Sequence, residues 1–312
     1  MAKLNQYKDF EEKGLYFEDG SIKINTKADF EVYWEKLVNF DELYTYKFRG
    51  CTEANYKLYN SSQRYWIEKE LSKQNIYYHD FIKKLIVKCK NWNEKTIFKF
   101  FNLNGIGTNN ALAYLSYMQH YGIPTPLLDF THNPFIGLYF AVANSYYDNS
   151  SESEINNYCS LYIVDEANPF FYSTIKTFEK EIVNEKNGDI DYDKYLISYP
   201  ILFVTSENAA FKMLNNTNIV NQQGMFFYNN NPDSPIEKVY HDSIGFIKEG
   251  ITEEEFSNLR YSNYFASCWN FHKSLKPYIL SKLRDKRISE KFIFPDNKDL
   301  KEYTLISALE EI

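Results

Sequence analysis

Residues 119–134 read Gln119-His120-Tyr121-Gly122-Ile123-Pro124-Thr125-Pro126-Leu127-Leu128-Asp129-Phe130-Thr131-His132-Asn133-Pro134, and their punctuation decides the local fold. Apolar residues at helical spacing run from Ala111 to Gln119. Gly122 is placed to end that helix, and Pro124 forbids its continuation. Leu127 to Phe130 is a short apolar stretch suited to a strand. Asn133 before Pro134 pairs an N-cap with a proline at the first helical position, where the missing N–H is not needed. The helix it opens, Phe135 to Ala143, is apolar almost all round, the pattern of a buried helix.

Towards the N-terminus, Thr26 and Asp29 have the spacing of a capping box. Phe30, Tyr33, Trp34, Leu37 and Val38 recur at helical intervals, so a helix is expected over 27–39. Tyr44, Tyr46 and Phe48 then alternate with Thr45, Lys47 and Arg49, a strand pattern that sends Arg49 to the face opposite the aromatics. Gly50 reads as a point where the chain turns. Glu18-Asp19-Gly20-Ser21 suggests a small turn or hairpin within residues 1–25. Residues 62–119 contain no proline and only two glycines, and their spacing predicts three or four helices.

Beyond the central block, strands are expected at 159–164, 201–205, 218–228 and 244–248, a loop at 229–232 and a helix over 273–283. No linker or repeat interrupts the chain. The expected architecture is an α+β domain over 26–312, preceded by an N-terminal extension or hairpin over 1–25. Helices should surround a mixed or mostly antiparallel sheet.

The chain has 312 residues, and its 35 Lys+Arg against 42 Asp+Glu give a net charge of −7, which excludes a polybasic nucleic-acid tail. Lysine-rich runs at 83–99 and 273–287 read as solvated helix faces, so nucleic acid is not expected as a partner. An apolar content of 44% excludes a disordered chain. Cys51, Cys89, Cys159 and Cys268 are scattered, which suits a reducing compartment and offers no zinc or redox motif. The opening residues are acidic where a signal peptide would be apolar, and no apolar run spans a bilayer. A cytoplasmic protein without membrane contact is therefore expected. Phosphate-loop, HExxH and GxSxG motifs are absent, as is paired carboxylate spacing, so no metal is expected.

Three segments join polar groups to sharp backbone punctuation: Phe48-Arg49-Gly50, residues 119–140, and Gln222-Gln223-Gly224-Met225-Phe226. Together they resemble the FRG domain family, named for its Phe-Arg-Gly element. That family's second element has the form QHYG-hydrophobic-PT-x-LLD-aromatic-T-x-NP. Lys276, Ile279, Leu280 and Phe294-Pro295-Asp296 match its ending, so the resemblance extends over about 26–312. Cys51, Pro126 and Asn218 depart from the family pattern. Two cations are thereby missing, so an anionic ligand would need support from elsewhere.

The motif order is also similar, more remotely, to that of ADP-ribosyltransferases. This resemblance implies NAD as a substrate and either ADP-ribosyl transfer or NAD hydrolysis, in an effector of bacterial or phage conflict. It places Asp129 and Gln222 in catalysis, with Arg49, Gly50, His120, Tyr121, Thr125, Thr131 and Asn133 binding the ligand, a small nucleotide. Gln222 cannot act as a general base, because an amide accepts no proton, so Asp129 is the carboxylate available. The alternative is a non-catalytic module binding a ligand or a protein, in which Arg49 forms a structural ion pair with Asp129. His120 can serve the helix dipole, Asn133 can serve only as a cap, and His132 is expected at the surface.

Overall fold

The computed structural model describes residues 3–41, 45–92, 94–103, 105–148, 150–151, 153–171, 190–197, 201–204, 221–259 and 261–294. Among the described residues eight strands lie in one sheet: β1 (Phe17–Glu18), β2 (Lys23–Ile24), β3 (Tyr46–Cys51), β4 (Leu127–Thr131), β5 (Tyr158–Asp165), β6 (Ile201–Val204), β7 (Gly224–Asn229) and β8 (Ala266–His272). Their order is β1-β8-β5-β3-β4-β7-β6, with β2 also on β8. β1 and β2 run parallel to β8, and the other pairings are antiparallel. The mixed sheet surrounded by helices is the α+β class that the sequence predicts.

The helices begin where side chains satisfy their free N–H groups. Asp29 N donates to Thr26 Oγ1 at 3.1 Å, opening α2 (Lys27–Asp41). Asn60 and Gln63 form a reciprocal box at α3 (Ser61–Glu68). Asn133 Oδ1 accepts from the N–H groups of Phe135 and Ile136 at the start of α7 (Pro134–Val142). Between α3 and α7 lie α4 (Tyr78–Trp92), α5 (Glu94–Leu103) and α6 (Ala111–His120). Gly122, at φ +72°, follows the end of α6.

Strand alternation divides the core. Phe48, Leu161, Ile163, Trp269 and Phe271 face α2, α7 and the helix Lys276–Asp285. Leu128, Phe130, Tyr162, Val164 and Phe227 face the opposite way, towards α1 (Phe10–Gly14) and the helix Ile236–Gly250. Leu127, Phe226 and Tyr228 carry a third cluster built from α3 to α6.

Gly50 does not turn the chain. It lies inside β3, where α7 crosses so closely that a Cβ would stand 2.2 Å from both Ala141 N and Gly137 O. A Cβ at Gly137 would in turn meet Phe48 Cβ at 2.7 Å. The N-terminal segment also differs from a hairpin. The chain turns at Asp19, at φ 58°, but β1 and β2 each pair with β8 and not with each other. Buried Lys13 fastens this segment by donating to Ala54 O, Ser160 Oγ and Asn270 Oδ1 at 2.7–2.9 Å.

Residues 244–248, expected as a strand, lie within the helix Ile236–Gly250. Ile236, Val239, Tyr240 and Ile244 are its buried apolar residues at helical spacing, a period that a five-residue window conceals. Of the expected strand at 218–228, residues 218–220 lie outside the described residues and the strand itself begins at Gly224. Thr205, Pro295 and Asp296 also lie outside them.

A Gly50→Ala variant is expected to lose at least about 3 kcal/mol of stability, because both obstructing atoms belong to the backbone and cannot rotate away. Gly245→Ala, at a helical site with nothing within 4 Å of the new Cβ, should gain about 0.5–1 kcal/mol. Denaturant unfolding of both variants checks the pair; equal effects would contradict the close approach.

Candidate functional site

β3 and β4 are neighbours at the centre of the sheet, yet they pair at one register position, Phe48 with Thr131. β3 remains paired with β5 along its length, and β4 with β7. Beside this parting lies a cleft of about 490 Å³, a size ordinary for small-ligand sites. Arg49, Gly50 and Cys51 from β3 line it, with Asp129, Phe130 and Thr131 from β4. Ser116, Gln119 and His120 enter from α6 and Arg64 from α3, while Gln222 and Phe226 come from the β7 side.

The Arg49 guanidinium spans the opening. Its Nη1 donates to the main-chain oxygen of Asp129 at 2.5 Å, and its carbon lies 5.9 Å from the centre of the Phe130 ring. The buried Nε has no hydrogen-bond partner. Among the described residues no salt bridge joins Arg49 to the Asp129 carboxylate, so the contact is to backbone and leaves the carboxylate to other partners.

Asp129 Oδ2 accepts from Gln119 Nε2 at 2.7 Å. Gln119 Oε1 accepts from the Thr125 hydroxyl, which fixes the amide so that its NH2 group faces the carboxylate. Thr125 is itself held, its N–H donating to Ser61 Oγ at 2.9 Å and its Oγ1 accepting from Leu127 N at 3.3 Å. The side chain of Asp129 is open to water through the cleft, but protein walls crowd it on its other sides. This desolvation raises its pKa above the ordinary carboxylate value, against the opposing pull of Arg49 and the Gln119 hydrogen bond.

Arg64 supplies a second guanidinium. Its Nη1 donates to Tyr59 O at 2.8 Å. Desolvation and then the positive charge of Arg49 lower its pKa, while Asp129 draws it upward. Among the described residues, two guanidiniums thus share the cleft with a single carboxylate.

Other expected site residues divide by their contacts. Thr131 is buried; its hydroxyl donates to Gln222 O at 2.6 Å and accepts from Asn133 N at 3.0 Å. Gln222 lines the cleft, but its Nε2 donates to Ile293 O at 3.4 Å. His120 lines it from the end of α6, and Gly50 through its backbone. Tyr121, Thr125 and Asn133 do not line it. Tyr121 packs on Tyr117, with ring centres 4.6 Å apart, Thr125 holds Gln119, and Asn133 caps α7. His132 is only partly exposed: its buried Nε2 lacks a partner, and desolvation with nearby Lys47 pushes its pKa down to about 4.

Sequence reasoning missed Arg64 and Gln119. Five arginines stand among 35 Lys+Arg, so an arginine in a lysine-dominated chain is itself a signal, since only a guanidinium gives planar two-point contact. Gln119 was within the quoted motif but was not assigned a role.

A sheet parted at its centre, with guanidiniums and one crowded carboxylate at the parting among the described residues, defines an α+β protein with a cationic cleft. Residues 44–150 match the family model of the FRG domain. The match includes Phe48-Arg49-Gly50 and the whole of residues 119–140; Gln222 and the Lys276 motif lie beyond it. No curated protein and no solved structure matches the chain.

Because the folded state raises the pKa of Asp129, it favours the neutral carboxyl, and the contribution of Asp129 to stability falls as pH rises through that raised value. Asp129→Asn should therefore melt higher than the parent protein at pH 7. The difference should shrink to nothing as pH approaches about 4, near the unfolded value. Melting curves across this range check the sign.

Proposed function

We propose that this FRG domain protein binds NAD or a related nucleotide in the cleft and performs ADP-ribosyl transfer or NAD hydrolysis. The observation that carries the reading is the placing of Arg49 beside Asp129 at the parting of β3 and β4, where a cation and a carboxylate face one ligand-sized space. Aromatic walls from Tyr56, Phe130, Phe140 and Phe226 suit a flat heterocycle. A guanidinium with an unpartnered Nε suits a phosphate oxygen.

In this reading the bond between ribose C1′ and the nicotinamide nitrogen breaks, and its electron pair leaves with the ring. Water or an acceptor hydroxyl bonds to C1′, and its proton passes to Asp129. A carboxylate with a raised pKa is suited to receive it, and its charge stabilises the oxocarbenium-like transition state. Gln119 holds the carboxylate in place. Thr131 and Gln222 shape the cleft through their contacts with Gln222 O and Ile293 O.

The occupied side chains of Thr131 and Gln222 also favour a second reading, a binding module without turnover. Incubating the pure protein with NAD separates the two. Release of nicotinamide, abolished in Asp129→Asn with NAD binding retained, is the expected result. NAD binding without release would favour a nucleotide-binding module, and no binding would overturn the NAD reading. Among the described residues no helix is long and apolar enough to cross a membrane.

A further inference from the structure

We propose that Arg64 and Arg49 form a two-guanidinium clamp, which makes the preferred ligand one that carries two linked phosphoryl groups. The inference rests on the cleft being a nucleotide site and adds to it the class of anion that it selects.

Arg64 is set rigidly. Asn60 and Gln63 box the start of α3, and Ser62 N donates to Thr125 O at 3.1 Å, docking the helix on the loop that also orders Gln119. The fourth residue of that helix is Arg64, close to the positive end of the helix dipole, where a cation is unfavourable. Each guanidinium makes one hydrogen bond to a backbone carbonyl, Arg49 to Asp129 and Arg64 to Tyr59, which leaves most of their N–H groups for a ligand. Asp129 is the carboxylate among the cleft-lining residues, and Gln119 already donates to it. Two like charges beside one carboxylate repel each other, and a ligand with two adjacent negative groups relieves that repulsion. A single phosphate can engage one fork fully, whereas a diphosphate can engage both.

Calorimetric titration with ADP, AMP, NAD and inorganic pyrophosphate tests the clamp in the parent chain, Arg64→Gln and Arg64→Lys. The parent should prefer ADP to AMP by about tenfold or more. Arg64→Gln should reduce that ratio to about one, and Arg64→Lys, which keeps the charge without the fork, should fall between. Melting temperatures within a few degrees of the parent show that the variants are folded. If Arg64→Gln fails to fold, the ratios in the parent and Arg64→Lys decide, and equality between them overturns the clamp.

An unchanged ADP-to-AMP ratio in folded Arg64→Gln overturns the clamp while leaving nucleotide binding intact. Pyrophosphate binding that depends on Arg64, without binding of any nucleotide, supports the clamp and overturns the nucleotide reading. Binding of none of the four ligands overturns both.

Discussion

The contact on which the site depends is backbone against backbone: α7 lies on β3 where Gly50 and Gly137 have no side chains to hold them apart. Removing two Cβ atoms lets a helix approach a strand more closely than ordinary side-chain packing permits. Phe48 and Leu161 then fill the flanks. Since α7 is joined to β4 by the Thr131-His132-Asn133 turn, its seating on β3 also fixes where β4 begins to separate from β3. Arg49, one residue from the contact, inherits that rigidity.

The cleft illustrates how a fold tolerates unfavourable local electrostatics. Two guanidiniums repel, a carboxylate is crowded, and an Nε is buried unpaired, each of which weakens the folded state. They are offset by large apolar clusters on both faces of the sheet and by satisfied buried groups such as Lys13, whose ammonium has three acceptors. Unrelieved charge gathered in one concave place, with satisfied charge elsewhere, is the pattern of a ligand site.

Much of the frame was legible because its signals are local. Asn133-Pro134, Gly122 and the Thr26–Asp29 pair declared helix ends through chemistry that acts over three or four residues. The parity of β3 correctly separated Arg49 from Tyr46 and Phe48. Gly50 was misread because a close approach by a helix distant in sequence, at Gly137 and Ala141, leaves the same mark as a turn. Arg64 was missed because its place in the cleft depends on α3 docking against residue 125, a contact with no sequence period. Thr125 was assigned to a ligand, whereas its hydroxyl serves a neighbouring amide, and residue type alone does not distinguish these uses.

The attachment of β1 and β2 to β8 ties residues 17–24 to residues 266–271. During synthesis on the ribosome, the first strands must wait until residues 266–271 have been made before their partner emerges. Their exposed edges and the Lys13 ammonium meanwhile lack the acceptors and pairings of the finished sheet. Closure of the sheet is thus necessarily a late event, dominated by contacts distant along the chain, and such topologies form slowly and expose aggregation-prone surfaces to chaperones.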